Sequence, residues 1–267
     1  MTLTGKPLIC LWQHEQGVDI AGMVRELGIN TVWTDDEPYH GQAWAETHMR
    51  RALQVPGVAF VIGKVERIQW GQTHEGSVQH AAWIAGLALH HREIIGLYLN
   101  DFYDEIEDGY RTMEQWREII AAARAANPDL AIWVPHYPHR GNENRAYDID
   151  YQGVILNLWD PANLQEAERH LAEAEAMHAG KVILAGLYLD SGAGGGHWLA
   201  EEEFRSVLGF FVAHLNAGKL HGLRIFCACQ LAQRPEYLRW AAELLKQLKD
   251  PSALQPPSNG EASNSHT

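Results

Sequence analysis

Eight short apolar runs recur along the chain: PLICLW (7–12), NTVWT (30–34), VAFVIG (58–63), IIGLYL (94–99), LAIWVP (130–135), GVILNLW (153–159), KVILAGLYL (181–189) and LRIFCA (223–228). Each is short, rich in β-branched or aromatic residues, and apolar throughout rather than alternating. That is the pattern of strands covered on both faces, as in a parallel sheet. Longer amphipathic stretches separate them and carry helix punctuation. DIAGMVRELG opens on Asp19 as a cap and stops at Gly28. TMEQWREIIAAARAANP places Gln115 three residues after Thr112, a capping-box spacing, and closes at Asn127-Pro128. PANLQEAERHLAEAEAMHAG has Pro161 in its first turn and Gly180 at its end. AEEEFRSVLGFFVAHLNAG gathers three glutamates where the helix dipole favours them, and RPEYLRWAAELLKQLKD is amphipathic with lysines in its last turns.

Strand followed by helix, eight times over about 250 residues, predicts a single-domain α/β fold, the (β/α)8 TIM barrel, over residues 1–250. A doubly wound open sheet is the rival, but the G-x-G-x-x-G fingerprint after the first strand is missing. The last stretch, PSALQPPSNGEASNSHT (251–267), is rich in Pro, Ser and Asn and reads as a disordered tail.

Composition narrows the partners. The 267 residues are 46% hydrophobic and carry a net charge of −13, with no basic stripe, so a nucleic-acid backbone is not expected as a partner. No apolar run approaches the roughly 18 residues a membrane span needs, and MTLTGKPLICLWQ has no charged segment leading into a long apolar one. A cytoplasmic protein without a membrane partner is the expectation. The three cysteines suggest no disulfide framework; Cys227 and Cys229 form a C-x-C pair without further Cys or His at ligand spacing, and read as buried structural thiols.

Active sites of such barrels form at the carboxyl ends of the strands, so the residues leaving each run are the candidates. They are Gln13, His14 and Glu15; Asp35, Asp36 and Glu37; Lys64 and Glu66; Asn100, Asp101, Asp104 and Glu105; His136, Tyr137 and His139; Trp159 and Asp160; Asp190; and Gln230. GLYLND at 96–101 returns as GLYLDS at 186–191, placing Asn100, Asp101 and Asp190 at the ends of strands four and seven. One Asp at a strand exit is ordinary turn chemistry; acids and histidines at most of eight exits make a lined opening. Trp33, Trp70, Tyr103, Trp133, Tyr137, Trp159 and Trp198 stand close by in sequence, and about half of them are expected in the core. Aromatic faces stack on sugar rings while carboxylates and amides take hydroxyls, so the lining fits a carbohydrate.

IIGLYLNDFYDE resembles the fourth-strand segment of barrel glycoside hydrolases. In their large retaining clan that strand ends Asn-Glu, the amide on the sugar 2-hydroxyl and the acid as general acid/base, while strand seven supplies the nucleophile. The resemblance thereby implies Asn100 and Asp101 for the pair and Asp190 for the nucleophile or base, with aspartates where the clan has glutamates. The segment is also similar to the chitinase strand-four motif, which gives Glu105 as the substitute for either acid, and NLWD (157–160) resembles the Tyr-Asp of those enzymes' strand six. The function so implied is cleavage of a glycosidic bond by two carboxylates. Asp101, Asp190 and Glu105 are the catalytic candidates. His14, Asp36, Asn100, Tyr103, His136, Tyr137, Trp159, Asp160 and Trp198 are the candidates for substrate contact. The substrate would be a carbohydrate or another small polar molecule, with no cofactor.

Two alternatives use the same opening. His14, His136, His139 and His197 beside acids suit a divalent metal in a barrel hydrolase, isomerase or lyase, although the H-x-H of amidohydrolases is absent from strand one. A non-catalytic sugar-binding barrel is the other. SGAGGGHW (191–198) lies where such folds cradle phosphate, but Asp190 and the glutamates at 201–203 oppose an anion, and a flexible lid explains the glycines as well. Lys64 alone is a weak cue for Schiff-base chemistry.

Overall fold

The computed structural model describes residues 7–13, 18–34, 42–65, 67–68, 71–138, 149–158, 164–190 and 196–248. Eight parallel strands close into a barrel in sequence order: β1 (Leu8–Gln13), β2 (Thr31–Thr34), β3 (Phe60–Val65), β4 (Ile94–Leu99), β5 (Ala131–His136), β6 (Gly153–Asn157), β7 (Val182–Tyr188) and β8 (Gly222–Phe226). The seam is β8 against β1, with Cys10 opposite Arg224. The chain has the (β/α)8 TIM-barrel fold.

The described helices are α1 (Ile20–Leu27), α2 (Gln42–Gln54), α3 (His74–Ala88), α4 (Phe102–Glu107), α5 (Met113–Ala126), α6 (Ala167–Met177), α7 (Glu201–Asn216), α8 (Ala228–Gln233) and α9 (Pro235–Leu245). Their ends obey the local chemistry. Asp19 accepts from the Gly22 amide at the start of α1, and Gly28 closes that helix in the left-handed conformation at φ 65°. Thr112 and Gln115 form the full capping box of α5. No described helix is long and apolar enough to cross a membrane. The tail from 251 lies outside the described residues.

Two strands stop two residues before their apolar runs end, the other strand ends shifting by no more than two residues. β6 stops at Asn157, short of Trp159, and β8 stops at Phe226 because Cys227 is already the N-cap of α8.

The core has two parts divided by the sheet. Between strands and helices lies a large shell that includes Ile84, Trp116, Phe204, Leu208 and Phe211. Inside the barrel, Leu8, Cys10, Trp12, Trp33, Ile62, Tyr98, Trp133, Ile155 and Leu184 fill the lumen. Trp133 of β5 is fully buried there because its two neighbouring strands carry glycine beside it. A side chain at Gly96 on β4 or at Gly153 on β6 would fall on the Trp133 indole.

Candidate active site

Side chains alternate between lumen and helix shell along each strand, so register decides which exit residues face the opening. In β4 the lumen set is Gly96, Tyr98 and then Asn100; in β7 it is Gly186, Tyr188 and then Asp190. The repeated GLYL phrase therefore delivers a notch, a phenol and a polar group to the same side of two strands. Asn100 is the counterpart of Asp190, and Asp101 stands one residue further on.

Asp101 reaches the same space through its backbone. It has φ 46° and ψ 36°, the one non-glycine in the left-handed region among the described residues, a conformation Asp tolerates better than most. Tyr137, on the lumen side just past β5, donates its hydroxyl to Asp101 Oδ1 at 2.6 Å. Arg67, from the loop after β3, donates to Oδ2 at 3.3 Å while its other terminal nitrogen binds Asp108, and the Asn100 amide lies 3.5 Å from the same Oδ2. Burial and the Asp101 charge hold the Tyr137 phenol well above its ordinary range, so it stays a donor.

Asp190 is buried and accepts from the Gln230 amide at 3.3 Å. A backbone bridge to Trp198 and the Leu199 amide bonded to the Leu189 carbonyl fix the exit of β7. The Trp198 ring lies 5.6 Å from Tyr237 and under Arg234.

Tyr188 stands two residues before Asp190, on the lumen side of β7. Its phenol is raised by burial; Arg224 pulls it down, and the charges of both Asp101 and Asp190 push it up.

Beneath them sits Arg224, on the lumen side of β8 and 1% exposed. Its Nη2 donates to Asn157 Oδ1 at 2.8 Å and to the Tyr188 hydroxyl at 2.7 Å, and Tyr188 donates to the same Asn157 oxygen at 3.1 Å. Trp12 carries the Arg224 guanidinium and the Lys64 ammonium each 4.9 Å from its ring. No carboxylate comes within ion-pairing distance of Arg224 among the described residues, so aromatic faces and neutral oxygens hold this cation.

The other candidates separate on the same geometry. Glu105 is sealed, with both it and Arg111 at 0% side-chain exposure. Arg111 Nη1 donates to it at 2.5 Å, the Ile68 amide takes its other oxygen, and Arg111 also binds Ser77. That carboxylate joins the loop after β3, helix α3 and the segment after α4 through a buried ion pair. Tyr103 packs edge-on against Phe102 in the helix-shell core.

His136 falls on the outward side of β5, one residue off the lumen register. It shares a proton with His178 at 2.8 Å, and His178 in turn meets the Tyr151 hydroxyl at 2.7 Å. Burial, then the neighbouring His178, hold His136 down to about 3, and burial holds His178 down to about 4. Trp33 and Trp133 are likewise core. His14, Asp36, Trp159 and Asp160 lie outside the described residues, as do Trp70 and His139. Among the described residues no cluster of three His, Cys, Asp or Glu side chains stands close enough to hold a metal ion.

Sequence reasoning passed over Arg67, Asn157, Tyr188 and Arg224. Arg224 had a signal: a lone cation inside LRIF, on a strand covered on both faces, must be turned into the lumen and held there.

No family model matches the chain, and no curated protein matches it either. Its likeness is to solved barrels. A β-D-glucuronidase from Dictyoglomus thermophilum aligns at 17% identity and TM-score 0.54, over 82% of this chain and 43% of that one. An endo-β-mannanase/endo-β-glucanase from Prevotella bryantii aligns at 11% identity and TM-score 0.56, over 91% and 48%. A structure from Cytophaga hutchinsonii aligns at 14% identity and TM-score 0.63, over 90% and 89%. The chain spans less than half of the first two. The likeness is one of fold, and glycoside hydrolases are among the solved barrels that share it.

Proposed function

We propose that the chain is a glycoside hydrolase in which Asp101 and Asp190 are the reacting carboxylates. The observation that carries this reading is geometric: Asp101, turned by its left-handed backbone, accepts from Tyr137 on the lumen side past β5, and Asp190 leaves β7 on its lumen side, two residues after Tyr188. The glycosidases among the solved barrels of the same fold support it.

The surroundings divide the roles. Asp101 is met by a phenol, a guanidinium and an amide, all donors, the setting in which a carboxylate serves ionised as nucleophile or base. Asp190 is then the group that donates a proton to the leaving oxygen. This reverses the assignment by resemblance. Asn100 and Tyr137, which touch Asp101, are placed to orient a sugar hydroxyl beside it, and the substrate is a carbohydrate.

A panel of chromogenic aryl glycosides, with and without chelator, tests the reading. Turnover should be indifferent to chelator and fall about 10²–10⁴-fold in Asp101→Asn and in Asp190→Asn. Added azide should rescue Asp101→Asn by taking the place of the lost nucleophile, giving a glycosyl azide of inverted configuration. An inverted azide product from Asp190→Asn instead would restore the opposite roles, and wild-type turnover lost to chelator would move the chemistry to a metal. Cleavage unaffected by either substitution would refute the reading.

A further inference from the structure

The C-x-C pair lies where β8 gives way to α8. Cys227 is the N-cap of that helix and Cys229 its second residue, with helical Ala228 between them. Helical geometry sets their Cα atoms about 5.4 Å apart, inside the span a disulfide bridges. Their sulfurs already touch, 2.7 Å apart, one thiol directed at the other. The two differ in access. Cys227 is packed into the lumen cluster, Cys229 is half-buried, and the third cysteine, Cys10, is fully buried in the same lumen cluster. The next residue, Gln230, is the donor to Asp190.

We infer that Cys227 and Cys229 form a reversible redox site at the barrel mouth, closing to an intramolecular disulfide by exchange with a disulfide oxidant such as glutathione disulfide. Access dictates the order. The Cys229 thiolate attacks one sulfur of the oxidant, its S–S bond breaks, and one glutathione leaves as thiolate. Cys227 then gives up its proton, its sulfur attacks Cys229 Sγ, and the second glutathione departs. Two protein thiols are oxidised to one disulfide while glutathione disulfide is reduced to two thiols. Until then the hydrogen bond to Cys229 and burial keep the Cys227 thiol protonated. Cys10, pushed up to about 12 by burial, takes no part. Closing the ring tightens the first turn of α8 and moves Gln230 against Asp190. This last consequence rests on the reading of Asp190 as a reacting group.

Counting thiols tests the site without any substrate. Native protein is equilibrated in glutathione buffers from reducing to oxidising, denatured in N-ethylmaleimide and mapped by mass spectrometry. The alkylated cysteines should fall from three to one, Cys10 alone remaining, with the 227–229 peptide lighter by two hydrogens and restored by dithiothreitol. Cys227→Ser should stop at a glutathione adduct on Cys229, and Cys229→Ser should take up none. Three alkylated thiols throughout, or a wild-type adduct stalled on Cys229, would overturn the proposal. On any glycoside the protein cleaves, the oxidised form should turn over severalfold more slowly and Cys229→Ser should be insensitive. Oxidation without slowing would remove the link to Asp190, whereas a protein that cleaves nothing leaves the thiol count to decide the redox site by itself.

Discussion

Position 101 asks two things of its side chain: a left-handed backbone and a negative charge. Asn meets the first as well as Asp does, so Asp101→Asn isolates the second. Its melting temperature should stay within about 2 °C of wild type by differential scanning calorimetry while turnover collapses, since little folding free energy is at stake. Glu105 and Arg111 behave oppositely. Arg111→Met leaves a buried carboxylate without its cation and should cost on the order of 3–5 kcal/mol, read as a lower urea midpoint.

The His136–His178 pair gives a pH signature. Both imidazoles are held near 3 and 4 in the fold, against about 6.5 in the unfolded chain. Below 6.5 the unfolded chain binds the extra protons, so their stability contribution is whole above that pH and is lost as pH falls toward 4 and 3. Urea midpoints should decline over that window, and His178→Gln should flatten the decline.

Among the strands, the lumen is built around β5. Trp133 lies between Gly96 and Gly153, and the methyl of Gly153→Ala would have to displace a fully buried indole packed between strands. About 1–3 kcal/mol of destabilisation is expected, recovered in large part when Trp133→Leu is added, as a double-mutant cycle in urea would show. A strand can keep its hydrogen bonds and still fail on what its neighbour carries.

At the scale of the molecule, the eight strands and the ends of α1 and α5 were legible because they follow from local chemistry: uniform apolar runs, Asp19 and Thr112 as caps, Gly28 as a stop. The ends of α6 and α9 were not: α6 runs over Ala167–Met177, inside the expected Pro161 and Gly180, and α9 ends at Leu245 with no basic residue in its last turn. The opening was legible only in outline. His136 and Tyr137 are adjacent, and one faces the helix shell while the other holds Asp101; only register separates them. Glu105 and Asp101 share one acidic phrase, and a partner six residues away, Arg111, buries the former in an ion pair. The left-handed turn at Asp101 has no signature beyond the tolerance of Asp for it. Arg224 sat unnoticed inside an apolar run because its partners, Asn157 and Tyr188, come from two other strands.

The tryptophans and Arg224 that fill the lumen make it a cul-de-sac. With that end filled among the described residues, the glycosidase proposed above would admit sugar and attacking water, and release product, through a single doorway. In such a vestibule, clearance of the first product before water arrives becomes a step with its own timing, and bulky leaving groups would be the ones to expose it.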